Sequence, residues 1–198
     1  MAHFSWGEPG PPSRKKCVKI EIDNTFYIVR KEVAPIFEGF LSELVLSGYS
    51  LDEVEDDWSF SDRDIKGRPG VKSNHAWGLS IDANATKNPL TNNGKLITDM
   101  PVSKIRELCK KYWLRWGGDY TGNRKDAMHF EWIGSLQEAL QLVKELDMPE
   151  ADLIKYLQTI NSGVKKLQAT VEAGAAQNKA NFAELKKQVG LHDNPPDN

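Results

Sequence analysis

Asp126-Ala127-Met128-His129-Phe130-Glu131-Trp132 is the stretch whose reading decides the fold. Apolar and polar residues alternate from Ala127 to Trp132, the two-residue period of a strand with one face buried. On that period His129 and Ala127 point one way and Met128 and Phe130 the other. The imidazole can then face a cleft while its neighbours pack. The stretch follows Gly117-Gly118, a turn signal that separates it from what comes before.

Helical patterns flank this strand. Val102 to Tyr112 reads as a helix opened by Met100-Pro101 and closed before Gly117-Gly118. Ser135 to about Leu146 reads as another, with Ser135 at the N-cap and Glu138 three positions on, the capping-box arrangement. Further upstream, Val18 to Val29 alternates around Asp23-Asn24 as a hairpin does. Val33, Ile36, Phe37, Phe40, Leu41, Leu44 and Val45 then recur at spacings of three and four, marking one face of a helix that ends at Gly48. Residues 50–95 are rich in Asp, Ser, Gly, Asn and Pro and read as loops, with strand positions over Trp77 to Ile81. The expected class is α+β, a small antiparallel sheet with flanking helices.

The two ends read differently. Residues 1–17 carry Pro9, Gly10, Pro11 and Pro12 before three basic residues and are expected to form a flexible, extended arm ahead of a domain over 18–148. After Pro149, Leu153, Leu157, Ile160, Val164, Leu167 and Val171 take a heptad rhythm, predicting a long C-terminal helix over 149–191 and a disordered tail over 192–198. The seam weakens at Gly174 and Asn178 and resumes near Phe182, Leu185 and Val189. A coiled coil between subunits through 153–189 and a helix folded back on the domain both require such a stripe.

Composition bounds the function. The 198 residues are 39% hydrophobic and 27% charged, within the range of a soluble globular protein. A net charge of -2 from 26 basic and 28 acidic residues gives no reason to expect nucleic acid as a partner. Cys17 and Cys109 have neither CxxC nor Cys/His cluster spacing and read as buried free thiols. No apolar run approaches the roughly 18 residues of a membrane span, and no signal-like segment opens the chain, so synthesis in the cytoplasm is expected.

Of four histidines, His3 and His192 fall in the arm and the tail, which leaves His75 and His129. His75 stands in Ser73-Asn74-His75-Ala76-Trp77-Gly78-Leu79-Ser80-Ile81-Asp82, seven residues before Asp82. A loop leading into a short strand would bring both side chains to one point. Two neutral imidazoles and one carboxylate, with a fourth position left for water, make a catalytic type of zinc site. Asp126, three residues before His129, is positioned to act as a base. Arg63 and Arg68 are candidates to steady a developing negative oxygen, against the plainer role of surface ion pairs with Asp57, Asp62 or Asp64. Asn84, Asn88 and Asn92 read as turn residues, and Trp77 and Trp116 as residues flanking the site.

These boxes, in this order, resemble the D-alanyl-D-alanine carboxypeptidases of the vancomycin-resistance type and their phage relatives, the L-alanyl-D-glutamate endopeptidase endolysins. The family's Ser-x-His-x-x-Gly-x-Ala-x-Asp box is matched by Ser73 to Asp82, with Ser80 in place of alanine. Its Trp-Gly-Gly-Asp-Trp segment is matched by Trp116 to Tyr120, with Tyr120 in place of tryptophan, and its Asp-x-x-His box by Asp126 to His129. The resemblance spans roughly residues 33 to 147. It implies Zn2+ held by His75, Asp82 and His129, and Asp126 as general base. The phrase Ser61 to Gly67 resembles the family's Cys-Arg-x-Ile-x-Gly and favours Arg63 as the carbonyl partner.

The resemblance further implies hydrolysis of an amide in the peptidoglycan stem peptide, foremost the L-alanyl-D-glutamate bond. A D,D-carboxypeptidase is the rival activity, and a non-catalytic wall-binding or scaffold module on a coiled-coil stalk is the rival class. Delivery to the wall at phage lysis or on a virion is expected.

Overall fold

The computed structural model describes residues 5–23, 25–51, 58–146 and 150–188 and divides into two units, residues 1–147 and 148–198. The first unit is α+β, built from small antiparallel sheets and flanking helices.

Residues 5–16 differ from the extended arm expected of them. Pro11–Arg14 forms one helical turn, α1, and Trp6 is only 1% exposed. The Trp6 indole donates to the Gly134 carbonyl at 2.9 Å, and the Arg30 guanidinium lies 5.3 Å from its ring centre while donating to its carbonyl at 3.1 Å. Burial of one tryptophan with its N–H satisfied outweighs a composition poor in regular structure.

The hairpin of β1 (Cys17–Ile22) and β2 (Thr25–Arg30) follows the expected alternation, with Ile22 opposite Thr25. α2 (Ala34–Leu46) buries Ile36, Phe37, Phe40, Leu41 and Leu44, the stripe marked by the three-and-four spacing. A second hairpin, β3 (Asp64–Ile65) and β4 (Arg68–Lys72), is followed by the central sheet's first strand, β5 (Ser80–Asp82), and by β6 (Leu90–Thr91). α3 (Val102–Lys111) buries Ile105 and Leu108. β7 (Leu114–Trp116), β8 (Lys125–Asp126) and β9 (His129–Trp132) complete the strands. α4 (Leu136–Leu146) begins at the expected capping box: the Ser135 amide donates to Glu138 Oε2 at 2.6 Å and the Glu138 amide to Ser135 Oγ at 3.2 Å.

The sheet that matters most runs β5-β9-β7, all antiparallel. Its register sets Asp82 opposite His129, Ser80 opposite Glu131, and Arg115 opposite Glu131 on the far side. Alternation gives it two unlike faces. Ile81, Phe130, Trp132, Leu114 and Trp116 enter the core, where Phe40 of α2 meets Phe130 at 4.8 Å between ring centres. Ser80, Asp82, His129, Glu131 and Arg115 occupy the other face.

Two expected strands are shorter than their patterns. The run from Trp77 begins as a 3₁₀ turn, Asn74–Trp77, and becomes strand only at Ser80. The run from Ala127 is strand only from His129, because Ala127-Met128 leaves β8, with the Met128 amide donating to the Asn88 carbonyl and its carbonyl accepting from Ala83.

In the second unit, α5 spans Glu150–Gln188, matching the expected long helix. Leu167, Val171, Phe182 and Leu185 are 68%, 70%, 64% and 56% exposed. The side chains of Leu153, Leu157, Ile160 and Val164 lie outside the described residues, as do Val189, the tail over 192–198, His3 and His192. Among the described residues no helix is long and apolar enough to cross a membrane.

Candidate metal centre and active site

His75, Asp82 and His129 converge from two local structures. Asp82 and His129 are a directly opposed cross-strand pair, which by itself places their side chains side by side. Asp82 is also fixed from its other edge, where it exchanges both backbone hydrogen bonds with Trp58 at 2.7 and 2.8 Å. His75 arrives on the 3₁₀ turn, which Gly78 ends in the left-handed conformation at φ 72. A Cβ at Gly78 would stand 2.6 Å from Cys17 Sγ and 2.9 Å from the Arg30 amide, so this turn demands glycine on two counts.

The three side chains meet at short range. His129 Nδ1 lies 2.7 Å from Asp82 Oδ1, His75 Nε2 lies 3.2 Å from Asp82 Oδ2, and the two ring nitrogens are 3.2 Å apart. All three residues are buried. Burial works to raise the Asp82 carboxyl, but the flanking imidazoles of His75 and His129 hold it well below the usual carboxylate range. Burial likewise works to lower His129, yet its contacts with Asp82 and Glu131 push it up to about 10.

The donor set fits a divalent metal. Two imidazole nitrogens and a carboxylate oxygen face one another, and each outer ring nitrogen faces an oxygen. His75 Nδ1 donates to the Ser59 carbonyl at 2.5 Å, which turns Nε2 toward Asp82 and His129. His129 Nε2 stands 3.5 Å from Glu131 Oε2, and its Nδ1 turns toward Asp82 and His75, the edge at which the ring would take a metal on giving up the Nδ1 proton.

Asp126 lines the cleft beside His129. Its Oδ1 is buried with no hydrogen-bond partner among the described residues, and its Oδ2 is 3.7 Å from Arg124. Burial raises its carboxyl, with His129 pulling the other way. Gly117 makes room for it, since a Cβ there would collide with the Asp126 carbonyl. A carboxylate with a raised pKa and one unpartnered oxygen beside the donor triad has the character of a proton acceptor.

Arg63 is half-exposed, with Nη2 3.9 Å from Asp82 Oδ2. It lines the same cleft, of about 910 Å³, together with Arg68, Lys72, Arg115 and Arg124. Both Arg63 and Arg68 therefore border the cleft, and Arg63 is the one within ion-pair distance of the donor triad. Trp77 lines the cleft too, with its indole donating to the Gly7 carbonyl. Trp116, expected to flank the site, instead lies on the core face and donates to the Ala127 carbonyl at 2.7 Å. Asn84 and Asn88 are buried in the loop after Asp82, bonding to the Ser50 carbonyl, to the Asn84 carbonyl and to Tyr49, as turn residues do.

The sequence alone assigns no role to the Ser59 carbonyl, Asn74, Arg115 or Glu131. A backbone acceptor leaves no mark in a sequence. Glu131 did leave one, because it stands two residues from His129 on a strand and must share its face. Tyr120, which replaces a tryptophan of the related motif, donates its hydroxyl to Glu131.

Residues 66–132 match a protein-family model described as D-alanyl-D-alanine carboxypeptidase. No curated protein and no solved structure matches the chain. The matched segment contains His75, Asp82, Asp126 and His129, and it supports the resemblance to the zinc peptidases and, in general terms, a hydrolase acting on peptidoglycan.

Proposed function

We propose that this chain, whose residues 66–132 match the D-alanyl-D-alanine carboxypeptidase family, is a zinc metallopeptidase that cleaves the L-alanyl-D-glutamate bond of the peptidoglycan stem peptide. The observation that carries the reading is the buried triad of His75, Asp82 and His129 with Asp126, one of whose oxygens is unpartnered among the described residues, on the cleft that His129 lines. His75, Asp82 and His129 would hold the zinc, which would supply Lewis acidity to the scissile carbonyl and lower the pKa of a water. Asp126 takes the proton of the attacking water and passes it to the leaving amine. Arg63 offers its guanidinium to the carbonyl oxygen as negative charge develops.

The cleft also suits an acidic peptide. Arg63, Arg68 and Lys72 lie on or beside the β3–β4 hairpin, and Arg115 and Arg124 come from the later part of the chain. A stem peptide bearing free carboxylates would meet cations from both segments. The described family match favours a second reading, removal of a terminal D-alanine. A non-catalytic wall-binding module would have no use for Asp126 beside the triad.

The test is digestion of purified cell walls followed by mass spectrometry of the muropeptides. New L-alanine carboxyl and D-glutamate amino ends support the endopeptidase, and loss of one D-alanine supports the carboxypeptidase. Asp126→Ala is expected to retain zinc while losing roughly 10²- to 10⁴-fold in turnover. Full wall digestion by that variant overturns the mechanism.

For α5 we propose self-association through the heptad seam over 153–189, supported by the exposure of Leu167, Val171, Phe182 and Leu185. Sedimentation is expected to give an oligomer for the full chain and a monomer after truncation at Pro149. A monomer in both cases refutes it.

A further inference from the structure

Glu131 is a buried carboxylate that is not one of the three metal-facing donors, yet it gathers polar contacts from every side of the site. Oε1 accepts from Arg115 Nε at 2.7 Å and from the Tyr120 hydroxyl. Oε2 accepts from Asn74 Nδ2 at 2.5 Å and stands 3.5 Å from His129 Nε2. Only 4% of the residue is exposed. Burying an ionised carboxylate is costly unless its oxygens are satisfied, and here the satisfying groups all border the metal centre.

We infer that Glu131 is a positioning residue that holds the proton of His129 on Nε2, aims Nδ1 at the metal, and so sets the strength of metal binding. The inference rests on the metal-site reading above. Asn74 and Tyr120 fix the Glu131 carboxylate, and the carboxylate faces the outer nitrogen of His129. Asn74 is also the residue before His75, so one carboxylate joins the turn that carries the first histidine to the ring of the last.

The chemistry is that of an outer carboxylate on a ligating imidazole. A ring whose outer N–H faces a carboxylate is kept in one tautomer and one orientation, and its inner nitrogen is the more basic donor. The Ser59 carbonyl performs the same orienting task for His75 without the charge. The two histidines are thus held by unlike groups, and only His129 has an anion behind it. Arg115, which reaches Glu131 through both Nε and Nη2 at 2.7 Å, balances that anion within the same face of the sheet.

The test compares the zinc affinity of the full chain with that of Glu131→Gln and Tyr120→Phe, by competition with a chromophoric chelator. The thermal stability of each metal-free protein is measured alongside. Glu131→Gln is expected to weaken zinc roughly 10- to 100-fold, and Tyr120→Phe to weaken it by a smaller factor. Nitrogen-15 spectra of the zinc-loaded protein are expected to show a slowly exchanging His129 Nε2 proton that exchanges faster in Glu131→Gln. A purely structural Glu131 would lower the metal-free melting temperature and leave that proton unchanged. Wild-type affinity in Glu131→Gln overturns the inference while leaving the metal site standing. If Glu131→Gln does not fold, wild-type affinity and exchange in Tyr120→Phe overturn it instead. Failure of the wild-type chain to bind zinc overturns both the inference and the metal-site reading.

Discussion

The two faces of the β5-β9-β7 sheet are drawn from alternate positions of the same three strands, yet they do opposite work. One face sets Ile81, Phe130, Trp132, Leu114 and Trp116 against the helices, each of them buried. The other sets Ser80, Glu131 and Arg115 beside Asp82 and His129, two of the three residues of the candidate metal centre. Ordinary strand pairing puts Asp82 beside His129 and Glu131 beside Arg115, so the polar face inherits its geometry from the register that the apolar face enforces. A slip of one residue in β9 would bury His129 in the core and turn Phe130 toward the cleft. The precision of the site is therefore a property of the core behind it.

Substitutions on the two faces should separate binding from stability. The largest effect is expected from Asp82→Ala, which removes the carboxylate shared by both imidazoles and should abolish zinc retention after dialysis, as measured by elemental analysis. Stoichiometric zinc in that variant would detach the cross-strand pair from metal binding. Phe130→Ala, one residue from His129 but on the other face, should cost about 3–5 kcal/mol in urea unfolding of the metal-free protein. It should still bind one zinc ion per folded chain. If Phe130→Ala lost zinc without losing stability, the division of labour between the faces would be wrong.

The parts of this arrangement that could be read from the sequence are those that depend on period alone. The alternation around His129, the spacing from His75 to Asp82, the stripe of α2 and the capping box of α4 are local patterns, and the structure contains them. What depends on register or on distant docking could not be read. Trp116 lies in a glycine-rich motif beside the site, but its pairing opposite Phe130 turns it into the core. Arg115 meets Glu131 for the same reason, and neither residue alone announces it. Trp6 sits among prolines and glycines whose local preferences say nothing about a partner as remote as Gly134. The cationic cleft is hidden in a net charge of -2, because charge totals do not record which side chains share a wall.

The smallest effect should come from Ser80, the one residue of the polar face without a polar contact. Its Oγ is fully buried and has no hydrogen-bond partner among the described residues, although the strand sets it opposite Glu131. Glu131 is already occupied by Arg115, Tyr120 and Asn74, so the hydroxyl finds no place in that cluster. A buried, unsatisfied hydroxyl costs roughly 1–3 kcal/mol, and removing it leaves a void of only one oxygen atom. Ser80→Ala, which also restores the alanine of the related motif, should therefore raise the metal-free unfolding free energy by about 1 kcal/mol with zinc affinity unchanged. A loss of stability, or weaker zinc, would mean that the hydroxyl is held by a water or by Glu131, and that the polar face is satisfied throughout.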